Sequence, residues 1–440
     1  MEKLVLSLFP AEKIKKIERN KLDPSDRRFH SWYRFVLSYP PHLVHRYIEE
    51  FGLSSKDLVL DPFCGTGTTL IEAKLLGVPS IGIEANPFAH FATTVKTNWK
   101  VDPIALLQIA NEIKTKADGK LSEFENNNSS LNATDDNLEL KELPVDHLNL
   151  LLKDSISPLP LHKCLILLDF IREYKNSEFY DYLALALANS AVFKFSNLRF
   201  GPEVGVGKIK TDAPVIQYWY DQVLEIVNDL SNQPKHAINT ESHVLLSDSR
   251  NLKEILQGYK ISAVITSPPY PNEKDYTRTT RLESVLLGFI DNKEDLRKFK
   301  KTLLRSNTRG VYKGDDDDDH IELFPEIKRI ADEIEAKRIE LGKTSGFEKL
   351  YAKVTKLYFG GMAKHLAELR PFLTPGAMLA YVVGDQASYL RVMIRTGHLL
   401  GDIAQSLGYE LIRIDLFRTR FSTATKSDLN EEVVILRWPG

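Results

Sequence analysis

"VLDPFCGTGTTLIEA", residues 59–73, decides the fold. With the three residues before it, "KDLVLD" (56–61) reads as a buried strand that ends on an acid. "TTLIEAKLLG" (68–77) reads as a helix closed by Gly77. Gly65 and Gly67 lie between them, where glycine lets the backbone turn tightly and come close to a ligand. The helix that follows starts with free N–H groups. "PSIGIE" (79–84) is a second strand, and Glu84 at its end is spaced from the loop like a carboxylate that grips a ribose diol. The loop is no Walker A loop, because neither Lys-Ser nor Lys-Thr follows its glycines. It also departs from the dinucleotide fingerprint: it opens on Asp61-Pro62-Phe63 and lacks the third glycine. A positively charged sulfonium nucleoside without phosphate suits such an acidic loop better than a pyrophosphate does.

The same alternation of strand and helix continues along the chain. "ISAVIT" (261–266) is a strand, "GGMAKHLAELRPFL" (360–373) a helix and "GAMLAYVVGD" (376–385) a strand. "RVMIRTGHLLGDIAQSLG" (391–408) is a further helix, and "YELIRIDLF" (409–417) and "EEVVILRW" (431–438) are two closing strands joined by a polar loop. Alternating strands and helices specify an α/β, doubly wound, mainly parallel sheet. Composition breaks this pattern twice. Residues 117–142 are polar and Asn-rich and are expected as a flexible or disordered loop. "KGDDDDDH" (313–320) is expected as a solvated acidic loop. The resulting division is 1–99 for the first half of the sheet, 100–240 for a mostly helical insert, 241–279 for a second chemical motif, 280–358 for a charged helical insert and 359–440 for the second half of the sheet.

That second motif is "TSPPYPNEKDY" (266–276), where a buried strand runs into a rigid Pro-Pro corner with an aromatic ring at its tip. "DPFCGTGTT" and "TSPPY" together resemble motifs I and IV of the S-adenosylmethionine-dependent DNA amino-methyltransferases, which act on cytosine N4 or adenine N6. "FHSWYRFVLSYPPHLVHRYIEEF" (29–51) resembles their motif X, and "SDSRNL" (247–252) their motif III. The resemblance covers residues 29–98 and 244–275. It implies a Rossmann-like class I methyltransferase, with a mixed seven-stranded sheet whose last strand is antiparallel, and S-adenosylmethionine as cofactor. Its cofactor residues map onto Tyr39, Pro40, Asp61, Pro62, Phe63, Gly65, Gly67, Thr68, Thr69, Glu84 and, at the adenine, Asp248. Its catalytic residues map onto Ser267, Pro268, Pro269 and Tyr270. In the family, the Ser267 hydroxyl and the Pro268 carbonyl accept the two N–H bonds of the target amine, while Tyr270 offers a face for an extruded base. Serine at this position accompanies cytosine N4 more often than adenine N6.

Cysteine-based C5 methylation needs an attacking thiolate, and neither Cys64 nor Cys164 stands in the context that chemistry uses. The motif order X, I, III, IV also resembles tRNA guanine-N2 methyltransferases. Their RNA-binding domain has no counterpart before Val59, and their motif IV begins with Asp, so double-stranded DNA is the expected substrate. A cognate restriction endonuclease is the expected partner. Phosphate contacts are expected from Arg278 and Arg281 after the catalytic loop, and from Lys298, Lys300, Lys301, Arg305 and Arg309 in the charged insert. Arg199, Lys208 and Lys210 in a Gly-rich stretch, and Arg418 and Arg420 in 417–428, are further candidates. With 440 residues, a formal net charge of −2, two cysteines and no long apolar run, the chain is expected to be cytoplasmic, with no membrane span and no secretory leader. Neither the acidic run nor the proposed chemistry calls for a metal.

Overall fold

The computed structural model describes residues 26–34, 38–129, 139–201, 203–272, 274–422 and 426–440. Its strands are β1 (Val59–Asp61), β2 (Ser80–Glu84), β3 (Leu198–Phe200), β4 (Val204–Val206), β5 (Ser242–Leu246), β6 (Ile261–Thr266), β7 (Leu373–Gly384), β8 (Glu410–Ser422) and β9 (Ser427–Arg437). β3 and β4 form a separate antiparallel hairpin. The other seven form one sheet in the order β5-β2-β1-β6-β7-β9-β8. Pairing is parallel from β5 to β7, and β9 runs antiparallel to both neighbours. This is the mixed, seven-stranded Rossmann-like sheet with its last strand reversed.

Strand alternation builds the two faces. In β1, Val59 turns to one face and Leu60 to the other; in β6, Val264 and Ile265 do the same. One face packs against the helix Tyr351–Leu369 and the helix Thr396–Ser406. The other packs against the helix Pro41–Glu50. The chain order along the sheet reverses between β1 and β6, and the crevice beyond the carboxyl ends of such neighbours is where an open α/β sheet binds ligands.

Both inserts are braced on this sheet. The first has its own core from the helices Pro103–Ser129, Pro158–Arg172, Tyr180–Ser190 and Val215–Ser231. Phe29, Trp32 and Tyr33 are buried in that core, and Phe29 stacks on Trp99 at 3.9 Å. The expected loop at 117–142 is corrected here: residues 117–129 continue the helix Pro103–Ser129. Leu106, Ala110, Ile113 and Ala117 are fully buried at three- and four-residue spacing, and this apolar stripe overrides the polar composition. Residues 130–138 of that stretch lie outside the described residues, as does the N-terminal segment to residue 25.

The acidic run 313–320 is also corrected. Asp317 is buried, and Asp315 holds Arg305 inside the fold. The polar loop expected at 417–428 is largely hairpin, since β8 extends to Ser422 and β9 resumes at Ser427. No helix of the described residues is long and apolar enough to cross a membrane. No group of three His, Cys, Asp or Glu side chains among them is placed to hold a metal ion.

Candidate active site

The loop after β1 turns through Gly65 at φ 53° and Gly67 at φ 83°, a region where L side chains are strained. Gly67 is also crowded: a Cβ there would meet Thr93 Cγ2 at 2.8 Å. At Gly65 a Cβ would meet nothing within 4 Å, so the loop is open on that side. From below, the buried Lys96 ammonium donates to the carbonyls of Thr66 at 2.7 Å and Tyr33 at 2.8 Å, tying the loop to the segment that follows Phe29. Burial pushes this ammonium down to about 7.

Two carboxyls end the strands beneath the loop. Glu84 Oε2 accepts from Gly65 N at 2.8 Å and Oε1 from Asn86 N at 2.7 Å. Burial raises its carboxyl to about 7; those two N–H groups pull it down, and the nearby Asp61 charge adds to the rise. Asp61 is fully buried. Its Oδ2 accepts from Thr69 Oγ1 at 2.7 Å and from the Tyr39 hydroxyl at 3.3 Å. Its Oδ1 accepts from Thr266 Oγ1 at 2.6 Å and from Phe63 N at 3.1 Å. Burial raises it to about 6, against the pull of these donors. Asp61 therefore acts as a brace for the loop and for the end of β6. Tyr39 also meets Thr69, and Phe63 lies edge-on against His365 with ring centroids 5.1 Å apart. Thr68 is buried at the helix start, where Gly67 is the cap.

The TSPPY loop leaves β6 directly beside this loop. Ser267 Oγ donates to the Val382 carbonyl of β7 at 3.1 Å, which spends its proton and leaves oxygen lone pairs as acceptors. Tyr270 N donates to the Tyr276 hydroxyl at 3.1 Å, closing the loop on itself. The Tyr270 ring lies over Gly384 at the end of β7, with its Cε2 2.8 Å from where a Cβ would stand. Its hydroxyl is raised by burial and by the Glu431 charge, and is lowered by a hydrogen bond with Ser267. Asn272 N donates to the Ser306 carbonyl at 3.0 Å, so residues from the second insert clasp the far end of the loop.

Asp248 stands just beyond the carboxyl end of β5. Arg250 holds it, with Nη2 2.6 Å from Oδ2 and Nε 3.0 Å from Oδ1.

The basic candidates separate into two groups. Arg305 is buried, paired with Asp315 and bonded to the carbonyls of Lys300, Lys301 and Leu303. This corrects its reading as a phosphate contact, because its charge is spent inside the fold. Lys300 pairs with the buried Asp275 at 2.8 Å, and Lys210 bonds the carbonyls of Lys194 and Ser196. Arg281 donates to Thr277 Oγ1 at 2.7 Å and reaches the Leu150 carbonyl. Arg418 forks onto Glu431 at 2.5 and 2.6 Å, beside Tyr270. Arg309 lies over the Phe347 ring.

Arg199, Lys208, Arg278, Lys298, Lys301 and Arg420 are exposed; of these, Lys298 pairs with Glu294 one turn away, and Lys301 approaches the Tyr312 ring. Lys274, missed in the sequence, is half-buried and lowered first by burial, then by the Arg420 charge, with Glu203 opposing. The end of the TSPPY loop, the tip of the β3–β4 hairpin and β8 thus meet at one rim.

Other residues missed in the sequence are Thr266, Gly384, Arg250 and Asp317. Thr266 carried a local sign as the residue that opens the Pro-Pro corner, and Arg250 another, two residues after Asp248 in the same stretch. Gly384 and Asp317 work through partners far away in the chain.

A family model for a DNA methylase of the N6/N4 type matches residues 5–94. The chain is 29% identical over 434 residues to the type II methyltransferase M.BsoBI of Geobacillus stearothermophilus, covering 90% of this chain and 81% of that one. It is 24% identical over 428 residues to the type II methyltransferase M.AvaI of Anabaena variabilis, covering 92% of this chain and 83% of that one. Among solved structures, TrmN from Thermus thermophilus aligns with 94% of this chain and 52% of its own length, at 12% identity and a TM-score of 0.31.

Proposed function

We propose that this chain, which belongs to the DNA amino-methyltransferase family, methylates the exocyclic N4 amine of cytosine in double-stranded DNA at a specific sequence. The observation that carries the reading is the Asp61 carboxylate, which joins Thr69 of the cofactor loop to Thr266 of the TSPPY loop. An acidic cradle and an amine-holding loop are thereby kept side by side.

S-adenosylmethionine fits the cradle. The acidic carboxyls of Asp61 and Glu84 favour a positive sulfonium, and the loop is open at Gly65. Glu84 would hold the ribose hydroxyls, Asp248 the adenine amine, and the loop backbone with Tyr39 the remainder. Bound there, the cofactor supplies an electrophilic methyl group on positive sulfur.

The chain's own residues then prepare the nucleophile. An exocyclic amine is a poor nucleophile because its lone pair is delocalised into the ring. The Ser267 hydroxyl, already donating to Val382, accepts one amine N–H, and the Pro268 carbonyl accepts the other. Two acceptors draw the nitrogen toward tetrahedral geometry and aim its lone pair. The Pro-Pro corner holds them in place beforehand, so little freedom is lost at the moment of reaction. Tyr270, seated over Gly384, faces the extruded base, and Arg278, Arg420 and Lys274 on the rim meet its phosphates.

A serine hydroxyl is a weaker acceptor than the carboxylate used for adenine, and this supports cytosine. The type II designation of both long relatives supports a modification role beside an endonuclease of the same specificity.

The deciding experiment is expression in a methylation-free bacterial host, followed by digestion of its DNA to nucleosides and mass spectrometry. N4-methylcytosine is expected. N6-methyladenine would keep the family and overturn the reading of Ser267. Methylated tRNA with unmodified DNA would move the substrate to RNA.

A further inference from the structure

We infer that Asp317, in the acidic run of the second insert, is a positioning residue for the cofactor's adenine, acting through Arg250 on Asp248. The inference rests on reading Asp248 as the acid that accepts the adenine amine.

Arg250 is 7% exposed, and its guanidinium is engaged on every nitrogen. Nε and Nη2 grip both oxygens of Asp248, and the Arg250 backbone N–H adds a third bond to Oδ1 at 2.9 Å. Nη1 donates to Asp317 Oδ2, and Nη2 also reaches the Lys301 carbonyl at 3.2 Å. Burial works against the charged guanidinium, but hydrogen bonds and charge from Asp248, and then from Asp317, outweigh it and hold its pKa high. The three side chains form one unit of two acids and one base.

Two consequences follow from elementary electrostatics. A lone Asp–Arg pair is neutral and would make Asp248 a poor acceptor. The second carboxylate restores one negative charge to the unit, so Asp248 still attracts an N–H donor. The fork also fixes the plane of the Asp248 carboxylate, which otherwise rotates freely beyond the end of β5.

The fold makes specific room for Asp317. A Cβ at Gly360 would stand 1.8 Å from the Asp317 carbonyl oxygen, and one at Gly361 would stand 3.3 Å from Asp317 Oδ2 and 3.4 Å from Arg250 Cδ. The two adjacent glycines of the helix Tyr351–Leu369 therefore admit this segment against the helix backbone.

The test compares binding of S-adenosylhomocysteine and S-inosylhomocysteine by calorimetry. The inosyl compound replaces the adenine amine with an oxo group that cannot donate. The native protein should prefer the adenosyl compound by roughly tenfold, the worth of one hydrogen bond to a charged acceptor. In Asp317→Asn that preference should fall to about twofold or less, with affinity for duplex DNA unchanged. Asp315→Asn is the control: it lies in the same acidic run with its side chain also largely buried, but its partner is Arg305, so it should lose stability and keep the preference. If Asp317→Asn does not fold, Arg250→Lys is read the same way, since it keeps the charge and loses the fork. An unchanged preference in the folded variant overturns the inference. An unchanged preference in Asp248→Asn as well would instead overturn the reading of Asp248.

Discussion

Thr266 Oγ1 donates to Asp61 Oδ1 at 2.6 Å, across 205 residues of sequence. Thr266 immediately precedes Ser267, and Asp61 immediately precedes the Gly-containing loop after β1. Residues at the carboxyl ends of β1 and β6 meet here because the two strands are parallel neighbours, with Leu60 in register with Val264. The hydrogen bond ties the Gly-containing loop after β1 to the TSPPY loop, the two elements to which the proposed function assigns the methyl donor and the target amine.

Removing the Thr266 hydroxyl as Thr266→Val should therefore lower kcat more than it weakens cofactor binding. It leaves Asp61 Oδ1 with the Phe63 N–H alone, so stability should fall by about 1–3 kcal/mol. Thermal unfolding and single-turnover rates check both parts. A stability loss with full kcat would show that the contact only supports the fold.

Gly384→Ala tests the seat of Tyr270. The new methyl group would stand 2.8 Å from ring atom Cε2, and the backbone-anchored ring cannot yield without leaving its place. Methylation should fall on the order of a hundredfold, the effect of misplacing a reacting partner by about an ångström. Cofactor affinity should not change, and the ratio of the two measurements is the check.

With Glu84 at the ribose, as proposed, cofactor binding should depend on pH. Its carboxyl sits near 7 in the folded protein, above its ordinary value, so the folded state holds a proton that the unfolded chain has released. Its contribution to stability consequently declines as pH rises from its ordinary carboxylate value through about 7, then levels off. Affinity runs the other way, because ribose hydroxyls donate to the ionised form. The cofactor dissociation constant should tighten by several-fold from about pH 6 to about pH 8. Calorimetry on the native protein and Glu84→Gln checks this: the variant should bind weakly, with most of the pH dependence gone. A flat native profile would remove Glu84 from the ribose.

The two classes of arginine predict opposite phenotypes. Arg278→Glu and Arg420→Glu should leave thermal stability within about 0.5 kcal/mol. Each should also weaken binding to duplex DNA and reduce its salt slope by about 1. Arg305→Ala should instead destabilise by about 3–5 kcal/mol, since it leaves the buried Asp315 without its partner. Fluorescence titrations at several salt concentrations, alongside thermal unfolding, separate the two.

The alternation of strand and helix, the glycines after Asp61 and the Pro-Pro corner after Ser267 were legible from the residues because each is local. A strand end, a tight turn and a rigid corner are conditions on neighbours in the chain. The helix from 103 to 129 was legible in principle, since Leu106, Ala110, Ile113 and Ala117 carry its period, but the Asn-rich composition that follows masks it. The partners of Asp315 and Arg305 carried no such signal. An acidic run and a basic run ten residues apart look equally like solvated surfaces until folding desolvates them together.

By itself the sequence determined the sheet type, the tight turn at the glycines after Asp61 and the rigid Pro-Pro corner after Ser267, since local backbone geometry and residue chemistry are enough to specify them. Only the tertiary structure decided which charges face solvent, that Asp61 bridges two loops, that Gly384 seats Tyr270 and that Asp317 reaches Arg250. Those outcomes depend on which distant segments share an interior, and a buried charge takes whatever partner the packing brings to it.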